Sequence, residues 1–197
     1  MEISFEKHLE KALRPNDRYD VSRWLYVPCE YTEYRYILGT LGKKPLIAVG
    51  INPSTAAPDR LDRTLQSVDR IRSRNGFDSF LMFNFCAQRA TDPNDMDRTR
   101  HDALHRENMK AFEYLLSLSP RPVVWAAWGS LIEKRPYLAD SLRDMIALGN
   151  AAGAVWVTCG RRSVKGHPHH PLYLKSDLPL EPFDISAYLC LLPPAEI

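Results

Sequence analysis

Pro45-Leu46-Ile47-Ala48-Val49-Gly50-Ile51-Asn52-Pro53-Ser54-Thr55-Ala56 is the stretch on which the fold turns. A run of apolar residues with no polar interruption reads as a strand buried on both faces, which is the signature of a parallel sheet rather than a half-solvated antiparallel one. Gly50-Ile51-Asn52-Pro53 then ends the strand in a turn and delivers a carboxamide and several turn amides to its carboxyl end. Open α/β sheets bind their ligands at that edge, so the segment reads as a site rather than as packing.

Working outward, the chain alternates helix and strand. Leu61 to Arg74 places Leu61, Leu65, Val68 and Ile71 at helical spacing and stops at Asn75-Gly76. Ser79 to Phe85, Pro122 to Ala127 and Ala154 to Thr158 are further short apolar strands. Asp102 to Leu118 reads as a helix, and Leu131 to Leu148 as one interrupted at Pro136. Buried strands separated by such helices predict an α/β class fold, a three-layer α/β/α sandwich around a central, mainly parallel sheet. Upstream, Phe5 to Leu13 predicts a short amphipathic helix, and Trp24 to Leu38 alternates in the manner of β structure. Gly39 to Lys44 reads as a hairpin turn into the strand at 45–50, and the Pro-rich tail after Leu178 as a surface wrap. The expected division is an N-terminal elaboration over residues 1–33 and the α/β domain over 34–197.

The totals narrow the function classes. At 197 residues the chain buries on the order of 70% of its unfolded surface. A formal net charge of +2 gives no bulk electrostatic argument for strong nucleic-acid binding. Cys29, Cys86, Cys159 and Cys190 are dispersed, which predicts buried thiols in a reducing, cytoplasmic setting. Neither a secretory leader nor a membrane-spanning run is read, so no membrane association is expected.

Four polar segments follow the four core strands and converge on one edge of such a sheet. They are Asn52-Pro53-Ser54-Thr55, then Asn84 with Gln88-Arg89-Ala90-Thr91-Asp92-Pro93, then Trp128-Gly129-Ser130, and finally Lys165-Gly166-His167-Pro168-His169-His170-Pro171. Asn52 can orient a water or hold an amide-like ligand, and Asn84 stands in an otherwise apolar strand. A buried amide there either bonds neighbouring loops or reads a ligand edge. His170 is the histidine expected to face ligand, since imidazole stabilises developing negative charge near neutrality. The spacing of His167, His169 and His170 fits no zinc pattern, so no metal and no cofactor is expected. Arg161, Arg162, Lys165 and Arg89 suggest an anion-binding rim. Trp125 reads as core, and Trp128 as pocket wall. Asp59, Asp62 and Asp69 read as solvated acids near a helix start.

These segments carry two resemblances. Asn52-Pro53-Ser54-Thr55-Ala56, Asn84, Arg89-Ala90-Thr91-Asp92-Pro93, Trp128-Gly129 and Gly166-His167-Pro168-His169-His170-Pro171-Leu172-Tyr173 resemble the bacterial and phage family known as domain of unknown function 1643. That family has no established activity. More distantly, Gly50-Ile51-Asn52-Pro53, Asn84, Trp128-Gly129-Ser130 and His170-Pro171 are similar to motifs of the uracil-DNA glycosylase superfamily. This second resemblance implies a uracil-DNA-glycosylase-like fold. It implies Asn52 as the residue that orients water, Asn84 as the reader of a pyrimidine edge and His170 as the stabiliser of the departing base. Leu174 would stand near the DNA-wedging position. The chain departs from that pattern in continuing His170-Pro171 with Leu172-Tyr173, and in its arm from Thr55 to Thr64.

The expected function is therefore binding of a nucleobase, nucleotide or single-stranded nucleic acid at the strand carboxyl ends. Hydrolysis of an N-glycosidic bond is the reaction these residues suit. Asn52 and His170 are the expected catalytic residues. Pro53, Ser54, Thr55, Asn84, Arg89, Trp128, Lys165 and Tyr173 are the expected substrate-binding residues. A non-catalytic nucleotide- or nucleic-acid-binding module is the alternative, and a structural domain acting through a protein partner a third reading.

Overall fold

The computed structural model describes residues 2–194. Its frame is one seven-stranded mixed sheet in the order β1-β2-β4-β3-β5-β6-β7. The strands are β1 (Trp24–Val27), β2 (Ile37–Thr40), β3 (Pro45–Gly50), β4 (Ser79–Asn84), β5 (Val123–Ala126), β6 (Val155–Cys159) and β7 (Leu180–Pro182). The four strands read as apolar runs, β3 to β6, sit side by side and are parallel. Antiparallel strands β1 and β2 extend one side of this core, and β7 the other. The sheet is thus parallel in its centre and mixed overall, more so than the apolar runs alone suggested.

Helices cover both faces. α1 (Phe5–Ala12), α3 (Asp102–Ser117), α4 (Tyr137–Ala151) and α5 (Ile185–Leu189) contribute to one buried cluster, and α2 (Arg63–Arg74) to the other. α2 shows why the sequence period matters. Leu65, Val68 and Ile71 fall on one stripe and are fully buried, each contributing about 1.5–3 kcal/mol. Asp62 starts the helix by accepting from the Leu65 amide at 2.9 Å. Asn75 ends it, and its carboxamide also accepts from the Leu180 amide at 2.8 Å, tying the helix to β7. The interruption at Pro136 is real: Gly129–Lys134 forms a 3-10 turn, and α4 begins at Tyr137.

Three expectations are corrected. The Gly39–Lys44 segment is no hairpin, because β2 pairs with β1 and β4 while β3 lies on the far side of β4. Gly39 belongs to β2, where a Cβ would stand 2.0 Å from the Phe80 carbonyl oxygen, so the strand contact requires glycine. The tail after Leu178 forms β7 and α5 before its last three residues, which lie outside the described ones. The four thiols are free, but only Cys159 is fully buried and Cys190 is exposed. Residues 2–33 supply α1 and β1 to the same core and sheet as the rest. No helix among the described residues is long and apolar enough to cross a membrane.

Candidate functional site

The parallel register sets the site. Gly50 of β3 lies directly beside Asn84, the last residue of β4. The Phe85 and Cys86 amides donate to the carbonyls of Gly50 and Ile51, carrying the pairing past the strand ends. From α3, Asn108 donates its Nδ2 to the Asn84 carbonyl at 2.9 Å and to that of Phe85 at 3.2 Å. The backbone of Asn84 is therefore held from two sides. Its side chain is not: Asn84 is 1% exposed, and neither Nδ2 nor Oδ1 has a hydrogen-bond partner among the described residues. A Cβ on Gly50 would stand 2.9 Å from that Oδ1, so glycine is what leaves the carboxamide its place. A buried amide left without partners costs roughly 1–3 kcal/mol.

Asn52 is half-buried in the turn after β3. Its Nδ2 donates to the Pro53 carbonyl at 3.1 Å and to the Ala90 carbonyl at 2.7 Å. Both amide protons are used to hold the loop, which fixes the plane of the carboxamide and leaves Oδ1 as an acceptor. Ala90 returns the contact, its amide donating to the Pro53 carbonyl.

His170 follows β6 and packs against Gly129, beyond the end of β5. It caps a short 3-10 turn, with Nδ1 accepting from the Leu172 amide at 3.4 Å. Burial lowers its pKa, partly offset by the Asp62 carboxylate, so the ring is neutral near pH 7 with its proton on Nε2. A neutral imidazole is a hydrogen-bond donor without a charge to desolvate.

The sequence reading missed Arg35. Residues 33–35 and 87–89 form a short antiparallel ribbon: the Arg35 amide donates to Ala87, the Arg89 amide donates to Glu33, and Tyr34 bridges Gln88. Period-two geometry presents Arg35 and Arg89 as diagonal neighbours on one face. Both reach the loop after β3: Arg35 Nη1 donates to the Ala56 carbonyl at 3.1 Å, and Arg89 Nη1 to that of Ser54. Arg89 Nη2 donates to the Tyr26 hydroxyl at 2.9 Å, and the guanidinium lies over the Tyr31 ring at 4.2 Å. Arg35 is 1% exposed. Its burial and the nearby Arg89 charge depress its pKa to about 9, and Asp62 partly offsets this, so Asp62 acts on both Arg35 and His170.

The remaining expected residues divide. Pro53 is buried and Ser54 half-buried, both within the loop, while Thr55 is exposed beside them. Tyr173 is exposed, its ring centroid 6.1 Å from that of His170. Trp128 is not a pocket wall. It is fully buried in the cluster on the α3–α4 side, with Nε1 donating to the Tyr188 hydroxyl at 3.0 Å. Tyr188 in turn pairs with His167 Nδ1 at 2.8 Å, and His167 Nε2 meets Glu133 at 3.2 Å. Lys165 binds that same Glu133 at 2.8 Å, so it belongs to the end of this relay. Of the other basic residues expected at the rim, Arg162 lies over the Phe183 ring at 5.9 Å. Trp125 is core, as read. Asp62 caps α2, Asp69 pairs with Arg72, and Asp59 accepts from Trp24 Nε1 at 3.1 Å, pinning the 55–62 arm to β1. Leu174 is half-buried and packs against the α2-side cluster.

A cleft of about 990 Å³ opens on the other face, between the 31–34 segment and the start of α3. Arg89 and Tyr31 line it, so their stacked pair borders both it and the buried arginine site. Among the described residues no group of three or more His, Cys, Asp or Glu side chains is placed to hold a metal ion.

No curated protein and no solved structure matches the chain. A family model described as "Protein of unknown function (DUF1643)" matches residues 35–172, a span from the Arg35 ribbon to the His170 turn. With well over half of its length covered, the chain belongs to the DUF1643 family.

Proposed function

We propose that this domain binds a nucleobase-bearing ligand at the carboxyl ends of its parallel strands, and that hydrolysis of an N-glycosidic bond is the chemistry its residues suit. The observation that carries the reading is the buried Asn84 carboxamide, whose NH2 and carbonyl oxygen have no hydrogen-bond partners among the described residues. A nucleobase edge offers the complementary acceptor and donor in one plane. In this reading Asn52 Oδ1 accepts a hydrogen bond from the attacking water and so orients it, with its plane fixed by the Pro53 and Ala90 carbonyls. His170 Nε2–H donates to the negative charge that develops on the departing base. The uracil-DNA-glycosylase-like arrangement is part of this proposal, supported by the order of Asn52, Asn84, Gly129 and His170 at successive strand ends. A reducing, cytoplasmic setting suits its four free thiols.

The test is release of free base from a panel of nucleosides, nucleotides and uracil-containing oligonucleotides. Wild-type protein is expected to release base, and Asn52→Ala and His170→Ala to lose that activity while keeping the native circular dichroism spectrum. Full activity in both variants refutes the catalytic assignment. The same two bonds also suit binding without turnover, in which Asn52 only holds the loop and orients no water. That alternative is identified by ligand-dependent stabilisation, following RT ln(1 + [L]/Kd), with no base released.

A further inference from the structure

We propose that Arg35 and Arg89 form a binding site for a terminal phosphate monoester, so that the ligand is a nucleotide rather than a free base or nucleoside. The identity of the rest of that ligand rests on the nucleobase reading above. The phosphate site rests on separate observations.

Two guanidinium groups share one face of the 33–35/87–89 ribbon and one loop, and neither has a carboxylate within ion-pair distance among the described residues. What they do contact, the carbonyls of Ser54 and Ala56 and the Tyr26 hydroxyl, accepts hydrogen bonds without neutralising charge. Arg35 is 1% exposed, and the Nε atoms of both arginines are buried with no partner among the described residues. Like charges held together out of water are unfavourable unless a counter-anion completes them. An arginine does not readily relieve that strain by losing its proton.

The unused donors define the anion. Two guanidinium forks with free Nε–H groups match an acceptor with several oxygens and more than one negative charge. A phosphate monoester is that group, whereas a single carboxylate would leave one fork unfilled. Coverage sets the topology. The 54–56 loop closes over Arg35, and Asp59 pins the following turn to Trp24. A nucleic-acid backbone must pass in and out of a site, but a terminal phosphate need only enter. Asp62, the carboxylate acting on both Arg35 and His170, places the phosphate site and the imidazole in one electrostatic neighbourhood.

The experiment is isothermal titration of the full chain with inorganic phosphate, the common nucleosides, their 5′-monophosphates, and a short oligonucleotide without terminal phosphate. One monophosphate is expected to bind at least about tenfold tighter than its nucleoside, since a charge-assisted hydrogen bond adds on that order. Arg35→Met is expected to reduce it to the nucleoside's affinity. Arg89→Gln, at a half-buried position, is expected to lower it as well and serves if Arg35→Met does not fold. Equal binding of nucleoside and monophosphate overturns the phosphate site and leaves the nucleobase reading standing. Binding of inorganic phosphate that Arg35→Met abolishes, with no response to any nucleoside or nucleotide, upholds the arginine site and overturns the nucleobase reading. Preference for the oligonucleotide, or phosphate affinity indifferent to both substitutions, overturns the proposal.

Discussion

Replacing Asn84 by leucine is expected to make the ligand-free protein more stable and the liganded one unattainable. Leucine keeps the branching at Cγ but carries no polar atoms. At most positions an Asn→Leu change removes hydrogen bonds, but the Asn84 side chain makes none among the described residues. The substitution therefore deletes only the desolvation penalty of a buried donor and acceptor, roughly 1–3 kcal/mol. For a chain of this size each kcal/mol moves the midpoint by about 2–4 °C, so a rise of roughly 2–12 °C is expected. Thermal and urea unfolding followed by circular dichroism measure the stability, and titration with nucleotide measures the loss of binding. Asn84→Ala is less informative, because it leaves a cavity against Met82 and confounds the sign. A drop of more than about 1 kcal/mol in Asn84→Leu would mean that the carboxamide has structural partners, and the reasoning that makes it a ligand group would fail.

Three other outcomes are expected. In Gly50→Ala the added methyl lands 2.6 Å from Met82 Cε and 2.9 Å from Asn84 Oδ1. Since the methionine end can swing away, the stability loss should stay within about 1–3 kcal/mol while nucleotide affinity falls further than stability does. Tyr188→Phe strips the acceptor from Trp128 Nε1 and the hydroxyl from His167 Nδ1. Each buried group left alone costs roughly 1–3 kcal/mol, readable as a lower urea midpoint, and an unchanged midpoint would dissolve the relay. Burial holds the pKa of both His170 and His105 below the ordinary imidazole value of about 6.5. The unfolded chain then takes up more protons in acid, so this stability is complete above that value and is lost as pH falls through the folded ones. His170→Gln should flatten the pH 5–7 stability profile, and an unaltered slope would place His170 in water.

The parts of the fold that were legible in sequence are those governed by local period. β3 to β6 announced themselves as unbroken apolar runs, and α2 as a stripe of Leu65, Val68 and Ile71, because burial on both faces or on one stripe leaves that trace directly. The flanking antiparallel strands were less legible, since nothing in Ile37–Thr40 states that β4 rather than β3 is its neighbour. The site divides the same way. Gly50 and Asn84 were readable because a polar residue in an apolar strand is conspicuous. Arg35 was not: it alternates with Tyr34 and Tyr36, where a charge looks like a solvated face, and only the pairing with residues 87–89 turns it inward. Trp128 was misread because chain position places it at a strand end, whereas its direction is set by Tyr188 and Phe183 from the distant C-terminal helix region.

β7 shows how this sheet ends. A strand at the margin ordinarily presents a row of amides that a second copy can extend, the first step towards fibrous aggregation. Here the strand has three residues, and two of them have no donor to offer. The Leu180 amide is already given to Asn75, and Pro182 has none. The asparagine that stops α2 therefore also silences the margin of the sheet. Replacing it would expose a pairing edge as well as fray a helix.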